Sequence, residues 1–206
     1  MENNTKSLAL VFNILAILYR YPPVSIEFKA TAKYFSNLNW YESWPILTGV
    51  TDEALTDIQQ NLTHLQKLEQ AEWKHFFGEE FQLSAPPWGA VYLDPEQAMN
   101  NSSTIATEHF LASNNIKIET EHNEPVDHVG LCFMVLAHLA LEHDKKLLND
   151  FFGKHIEPWL YKYLATLRVA LDTYSATNQK SIAALYSFAN LTEITCKTLF
   201  IDGDCI

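Results

Sequence analysis

The chain has 206 residues, with 14 Lys and Arg against 25 Asp and Glu, so its formal net charge is −11. That charge excludes a nucleic-acid-binding protein, because phosphate backbones require a basic surface. It is compatible with a cationic peptide partner, and equally with a protein that only needs to stay soluble. Hydrophobic residues make up 48% and only six are glycine. This composition favours helices and a large core, so we expect a single all-α domain over 1–206.

Three features of the sequence bear on where the protein is found. Its three cysteines (Cys132, Cys196 and Cys205) have no CxxC spacing, which argues against a disulfide framework and favours a reducing cytoplasm. Asn13 interrupts the apolar stretch 8–18, whose periodicity is that of an amphipathic first helix rather than a signal peptide. No apolar run reaches the about 20 residues of a membrane-spanning helix. We therefore expect a cytoplasmic protein that does not insert into membranes.

The predicted elements follow one another as helices. Taken in chain order they cover 5–19, 24–36, 51–69, 102–113, 124–141, 145–152, 155–175 and 178–200, with short helices or turns at 39–48 and 71–77. Thr51 is the expected N-cap of the third helix, since acidic residues fill its first turn. The proline pair at 86–87 and Gly89 argue against a regular helix in 81–94. The pattern predicts an all-α fold of about nine to ten helices.

Ionisable side chains are concentrated at the start of the very apolar helix predicted for 124–141. Glu124-Pro125 is predicted to open this helix, with proline at its first position. The carboxylates of Glu124 and Asp127 would then cap the helix while His128 fills a local hydrogen bond. They would equally suit a guanidinium site beside an apolar surface, where charge-assisted bonds are strong. The residues alone leave both interpretations open.

Two aromatic segments precede this helix. Trp73, Phe76 and Phe77 share one helix face, a pattern more typical of a core than of a binding surface. The Pro-Pro-Trp-Gly run at 86–89 predicts a rigid extended corner, which either presents a flat aromatic surface or packs as an ordinary loop. Neither segment identifies a function by itself.

Together, these segments resemble the TorD/DmsD family of twin-arginine leader-binding chaperones. The matching elements occur in the family's order: Trp73-x-x-Phe76-Phe77, then Pro86-Pro87-Trp88-Gly89-x-Val91-Tyr92-Leu93-Asp94, then Asn123-Glu124-Pro125-x-Asp127-His128-x-Gly130. His155-x-x-Pro158-Trp159 and a first helix ending in Tyr-Arg-Tyr-Pro-Pro also match. The resemblance thus covers most of the chain. Its second element most resembles the branch that serves dimethyl sulfoxide reductase (DmsD).

The resemblance implies an all-helical fold that binds the twin-arginine signal peptide of a molybdoenzyme catalytic subunit. Export would be held back until folding and cofactor insertion are complete. The implied partners are this leader, the precursor of the molybdenum-containing reductase and the Tat translocase. The family's leader-binding positions correspond to Trp73, Phe76, Phe77, Pro86, Pro87, Trp88, Glu124, Asp127 and His128. We expect the two carboxylates to bind the arginines, the aromatic side chains to bind the apolar stretch, and His128 to orient Asp127 or contact the peptide.

Other classes of function are weaker but remain open. Glu72-x-x-His75 and Glu119-x-x-His122 have the spacing of di-iron helical bundles, but the second pair lies in a polar stretch. Nucleophile and phosphate-loop motifs are missing from the sequence. We therefore expect no enzyme, no metal and no cofactor. Guanine nucleotide and molybdopterin have no identifiable site. A general helical interaction module, or a chaperone for another reductase such as trimethylamine N-oxide reductase, stays possible.

Overall fold

The computed structural model of the chain describes residues 2–45, 47, 49–78, 83–94, 102–118, 124–142, 144–175, 178–201 and 204–205. Its α-helices are α1 (Glu2–Arg20), α2 (Ile26–Phe35), α3 (Asp52–Leu62), α4 (Gln70–Phe77), α5 (Gly89–Leu93), α6 (Ser102–Ser113), α7 (Val129–Leu141), α8 (Lys145–Phe151), α9 (Glu157–Thr173) and α10 (Gln179–Leu199). Two 3-10 segments (Trp40–Ser43, Thr63–Lys67), a π-helical turn (Phe152–Ile156) and the two-residue strands β1 (Phe200–Ile201) and β2 (Asp204–Cys205) complete the described elements. The predicted all-α fold is confirmed.

The chain divides into two compact units. The first comprises Met1–Tyr19, Pro86–Tyr163 and Cys205, and the second comprises Arg20–Ala85, Leu164–Asp204 and Ile206. The expectation of one domain over 1–206 stays a prediction.

The core of the first unit is built around α7. Phe133 of this helix is fully buried, and its ring stacks with Phe12 at 6.4 Å and with Tyr19 at 6.1 Å. Tyr19 also meets Tyr163 edge-on at 5.9 Å. Such large aromatic side chains contribute much of a core's buried area. This very apolar helix is therefore a central element of the core of the first unit.

The second unit is built around α10, which packs against α3 and the Thr63–Lys67 segment. A cluster of aromatic rings lies in the same unit, with Trp40 edge-on to Phe35 at 5.1 Å and to Trp44 at 5.4 Å. The indole N–H of Trp44 donates to Thr195 Oγ1 of α10 at 3.0 Å. The Trp-rich stretch predicted as a short helix or turn thus becomes a 3-10 turn fastened to α10.

The start of α3 was predicted correctly, but its end was not. Thr51 Oγ1 accepts from Ala54 N at 3.2 Å, as expected of an N-cap. The helix ends at Leu62 rather than near residue 69, because the chain tightens into a 3-10 segment there. A capping box between Glu69 and Glu72 then starts α4 as a separate helix.

The prediction of no regular helix in 81–94 is wrong for its last part. The proline pair does keep the chain extended up to Trp88 (φ −110°, ψ 130°), but α5 begins at the next residue. The reason is distant in sequence, since the Asp127 carboxylate accepts the Ala90 N–H at the helix start. Residues 79–82 lie outside the described residues.

The predicted start of the 124–141 helix is also wrong. α7 begins at Val129, with His128 as its N-cap residue (φ −61°, ψ 132°). Glu124 to Asp127 instead form a turn, in which His128 N donates to Pro125 O at 3.0 Å. Other helix limits agree with the predictions within a few residues, the usual scatter at helix ends.

None of the helices in the described ranges is long and apolar enough to cross a membrane.

Candidate functional site

Two chain segments of the first unit, 86–90 and 124–130, lie side by side and form what we call the joint. Trp88 and His128 make an antiparallel bridge. Val129 N donates to Pro87 O at 2.8 Å, and Gly89 N donates to Asp127 O at 3.1 Å. The joint therefore brings together six of the predicted site residues: Pro86, Pro87, Trp88, Glu124, Asp127 and His128.

Asp127 fastens the joint from inside. Its side chain is fully buried, and Oδ2 accepts from Ala90 N at 2.7 Å. Burial raises the pKa of Asp127, whereas the Ala90 N–H and the Thr104 hydroxyl each hold it lower. Its other oxygen, Oδ1, forms no hydrogen bond of standard geometry among the described residues, not even with the neighbouring Thr104 hydroxyl. In this arrangement the carboxyl positions the start of α5 and does not face solvent.

His128 connects the joint to Glu124. Its Nδ1 accepts from Gly130 N at 3.1 Å, which caps α7. An accepting Nδ1 in a neutral ring leaves the proton on Nε2, and this atom lies 3.5 Å from Glu124 Oε1. The imidazole also meets the Trp88 ring edge-on at 5.9 Å. The contacts of this ring include Gly130, Glu124 and Trp88, and its expected role of orienting Asp127 or contacting the peptide stays a prediction.

The accessible part of the joint is formed by Glu124 and the Trp88 corner. The side chain of Glu124 is 18% exposed, and Pro86 and Trp88 are half-buried, whereas Asp127 and His128 are buried. Pro125 and Val126 are half-buried as well, so a ligand approaching the joint meets one carboxylate, an indole and apolar side chains first. Acidic and flat apolar groups are adjacent there, which suits a guanidinium followed by an apolar side chain.

Unpaired polar atoms are concentrated in the first unit. Native proteins pair nearly all buried polar groups, so each exception needs a reason. Six such atoms occur in the described part of the chain, and five belong to this unit: Trp88 Nε1, Tyr92 OH, Thr104 Oγ1, Asp127 Oδ1 and Tyr163 OH. Two of them are part of the joint. These atoms leave hydrogen-bonding capacity that a bound polar group or water would use.

The aromatic residues predicted from α4 lie in the core of the second unit. Trp73 is 7% exposed, Phe76 1% and Phe77 4%. The Trp73 and Phe77 rings lie 5.9 Å apart, and the Phe76 ring meets Tyr174 edge-on at 5.1 Å. The core interpretation of this helix face is confirmed. Contact of these three side chains with a leader peptide stays a prediction.

Sequence reasoning missed three contributors to the joint. The Ala90 N–H is a backbone group and leaves no sequence signal. Gly89 is needed because a Cβ there would lie 2.5 Å from Trp159 Nε1; this indole is held by a hydrogen bond to His155 O. Thr104 belongs with Thr107 to the buried face of α6. Polar residues on such a face are the signal that could have revealed it.

The di-iron alternative finds no support in the residues that are described. No three His, Cys, Asp or Glu side chains there are grouped as a metal site requires. The Glu72 carboxylate instead accepts from Ser181 Oγ at 2.8 Å and from Glu69 N at 3.2 Å. Glu119 and His122 lie outside the described residues.

Comparison with known proteins agrees with the motifs. The profile of the family described as nitrate reductase delta subunit matches residues 47–165. A protein of Haemophilus influenzae named probable Tat proofreading chaperone DmsD is 31% identical over 173 residues, which cover 81% of each chain. The Tat proofreading chaperone DmsD of Salmonella typhimurium is 29% identical over 157 residues, 76% of this chain and 75% of its own. Chaperone protein TorD of Vibrio cholerae is 30% identical over 113 residues, 48% of this chain and 51% of its own.

The profile match covers more than half of the chain and includes both segments of the joint. The chain belongs to the TorD/DmsD family, as its motifs predicted.

Proposed function

We propose that the protein is a redox-enzyme maturation chaperone that binds the twin-arginine leader of a precursor enzyme in the cytoplasm. While the leader is bound, the precursor is kept from the Tat translocase, which leaves time for folding and cofactor insertion. The names of the DmsD relatives support proofreading of Tat export. The Pro-Pro-Trp-Gly element supports a molybdoenzyme of the dimethyl sulfoxide reductase type as client. A chaperone for another molybdoreductase, such as trimethylamine N-oxide reductase, is the alternative.

The observation that carries this proposal is the accessible face of the joint. Glu124 offers a partly exposed carboxylate, and both this carboxylate and the half-buried Trp88 ring lie next to His128. A leader presents guanidinium groups followed by an apolar stretch. A carboxylate binds guanidinium through charge-assisted, often bidentate hydrogen bonds, while an indole accepts an apolar side chain or stacks on the guanidinium plane. The net charge of −11 favours the approach of such a cation.

Burial assigns different roles to the two predicted carboxylates. Glu124 is the first to meet an arginine, since it is the more exposed of the two. Asp127 maintains the geometry of the joint through the Ala90 N–H. Direct contact of an arginine with Asp127 Oδ1 would require local opening of the joint, and would then give this unpaired atom a partner.

Binding in this way is reversible and breaks no covalent bond. The chaperone releases the leader when the precursor no longer needs protection, so a moderate affinity serves the function better than a very tight one. Specificity for the arginine pair follows from geometry rather than charge, because lysine cannot form the paired hydrogen bonds of a guanidinium.

The test measures leader affinity for Glu124→Gln by isothermal titration calorimetry, with a leader carrying Arg-Arg and one carrying Lys-Lys. We expect Glu124→Gln to weaken binding of the Arg-Arg leader about tenfold, or by about 1.4 kcal/mol. The variant should also lose most of the preference for the Arg-Arg leader over the Lys-Lys leader. Because glutamine keeps an oxygen beside His128 Nε2, the free energy of unfolding should change by less than about 1 kcal/mol.

Glu142→Gln is the matched control, because this exposed carboxylate lies at the opposite end of α7. It removes the same charge and should leave the leader affinity within about twofold. Unchanged affinity of Glu124→Gln, or equal losses in both variants, would exclude Glu124 from the arginine site. Failure of the unmodified protein to bind either leader would overturn the proposed function.

A further inference from the structure

The second unit contains a pocket that the proposed function does not use. It lies between α2 and the Thr63–Lys67 segment and has a volume of about 520 Å³, within the range of ligand sites. Phe28, Ala32, Leu65 and Leu68 contribute apolar side chains, all of them buried. Lys29 and Lys33 line the same pocket and are exposed. An apolar floor is thus combined with a basic rim.

The basic rim of the pocket is formed by two lysines of one helix. They lie four residues apart on α2, where side chains are neighbours and like charges repel, which costs a few tenths of a kcal/mol. Neither forms an ion pair with any residue the structure describes. Positive charge is scarce in this chain, with 14 basic residues against 25 acidic ones. An unneutralised basic pair beside an apolar cavity therefore calls for an acidic ligand.

Positive charge continues along the 3-10 segment that forms the other wall. Lys67 lies between the lining residues Gln66 and Leu68. Desolvation lowers the pKa of His64, and the positive charges of Lys67 and Lys180 lower it further. The nearby Glu69 is used in the capping box of α4.

Apolar surface also extends out of the pocket. Ile26 is 82% exposed and Val24 55%, and both are close in sequence to the lining residues Pro23 and Phe28. Ile26, Lys29 and Lys33 follow a spacing of three and four residues, so they share one face of α2. A small inorganic anion would use the lysines but leave this apolar surface uncovered.

We propose that the pocket binds an acidic peptide segment, with carboxylates on Lys29 and Lys33 and an apolar side chain on the exposed Ile26 of the same helix face. An amphipathic helix laid into a groove is a common mode of peptide recognition. Glutamates one helical turn apart would match the spacing of the lysines. A twin-arginine leader does not fit here, because its guanidinium groups would meet positive charge. The pocket is therefore a second peptide site, of opposite charge preference.

The probe is a short fluorescent peptide with two glutamates one helical turn apart and leucines on the same face. Its partner probe has glutamine in place of both glutamates. Fluorescence anisotropy should show binding of the glutamate peptide that weakens with salt, and at least tenfold weaker binding of the glutamine peptide. No binding by the unmodified protein, or equal binding of the two peptides, would overturn the proposal.

Charge reversal tests the basic rim. The double variant Lys29→Glu/Lys33→Glu should bind the glutamate peptide at least tenfold more weakly, and the twin-arginine leader as before. Lys145→Glu/Lys146→Glu is the matched control: it changes the net charge equally, at two exposed residues of α8. The affinity of this control for the glutamate peptide should stay within about twofold of that of the unmodified protein. If both double variants lost the same amount of peptide affinity, the effect would come from net charge alone, and the proposal would be overturned.

The apolar floor needs a variant that leaves the charge unchanged. Gln66→Trp places a large side chain at an exposed lining position, so it should fill the pocket and weaken the glutamate peptide at least fivefold. Undiminished binding by this variant would mean that the peptide contacts only the lysines, and would overturn the proposal that it enters the pocket. Light scattering that shows lysine-dependent dimers, or stronger lysine-dependent binding to anionic lipid vesicles than to the peptide, would assign the surface to a different partner.

Discussion

The family resemblance implies leader binding for both the joint and the aromatic face of α4, yet the two regions differ in how far they are buried. In the joint, Glu124 stays partly exposed and Trp88 half-buried. On α4, the three aromatic side chains are at most 7% exposed and pack against their own unit. Shared membership of a family motif therefore does not imply a shared role, since a motif also records residues that hold a fold together.

The contrast has a simple physical origin. Residues at i, i+3 and i+4 of an amphipathic helix point to one side, and that side is buried whenever the helix has a core to cover. A Pro-Pro-Trp-Gly corner follows no such periodicity, because its prolines keep the chain extended up to Trp88. Its indole is then positioned by backbone hydrogen bonds rather than by hydrophobic burial alone.

Truncation of the α4 face should give the largest effect. Phe76 is 1% exposed and in ring contact with Tyr174, so Phe76→Ala should lower the free energy of unfolding by about 3–5 kcal/mol. Leader affinity of the protein that remains folded should not change. Val169→Ala, an apolar truncation at a 63% exposed position of the same unit, should cost less than about 0.5 kcal/mol. Urea titration and calorimetry measure both quantities. Lost leader binding without lost stability would instead make Phe76 a binding residue.

A smaller loss is expected from crowding the joint. Gly89→Ala would place a Cβ 2.5 Å from Trp159 Nε1, and the buried indole has little room to move. We expect a loss of about 1–3 kcal/mol in unfolding free energy, typical of overpacking, together with weaker leader binding. Gly153→Ala is the control, because a Cβ there meets nothing within 4 Å. It should be neutral or stabilising by up to about 1 kcal/mol. Equal urea midpoints for the two variants would contradict the close approach of Gly89 to Trp159.

The smallest effect concerns the charge of Asp127. Burial raises the pKa of this carboxyl above its unfolded value of about 3.9. The unfolded chain then releases the proton at lower pH than the folded one, so rising pH costs stability across that interval. In Asp127→Asn this position carries no titratable group. The melting temperature of the variant minus that of the unmodified protein should therefore rise with pH, from about pH 4 until the pKa of Asp127 in the folded protein is passed.

Asp127→Asn still offers an oxygen to the Ala90 N–H, so its change in stability should stay within about 1 kcal/mol. Asp172→Asn removes the same charge from an exposed position of α9 and serves as the control. Melting curves followed by circular dichroism over this pH range would decide the point. A difference between Asp127→Asn and the unmodified protein that falls with rising pH would contradict a raised pKa of the buried carboxyl.

Much of the fold could be predicted from local patterns. Helix periodicity, the Thr51 N-cap and the very apolar α7 all depend on neighbouring residues, and the structure confirms them. The family motifs also identified the six residues that the joint brings together. Burial, by contrast, is a property of the whole unit, so the sequence could not distinguish Glu124 from Asp127.

The errors have a common cause. α5 begins at Gly89 because Asp127, far along the chain, accepts the Ala90 N–H. α7 begins at Val129 rather than at residue 124 because the Trp88–His128 bridge keeps His128 extended. Both helix starts depend on a pairing between distant segments, and propensity within a short window contains no information about it.

Because Trp88 pairs directly with His128, the geometry of the joint does not depend on how many residues connect its two segments. The cost of closing a loop rises only with the logarithm of its length, about 0.6 kcal/mol for each doubling. Residues can therefore be gained or lost between α6 and Glu124 while the backbone bonds of the joint still align indole and carboxylate. A chain with a connection of different length would keep the same contacts with a leader. The sequence of the connection would then be free to adapt to a particular client enzyme.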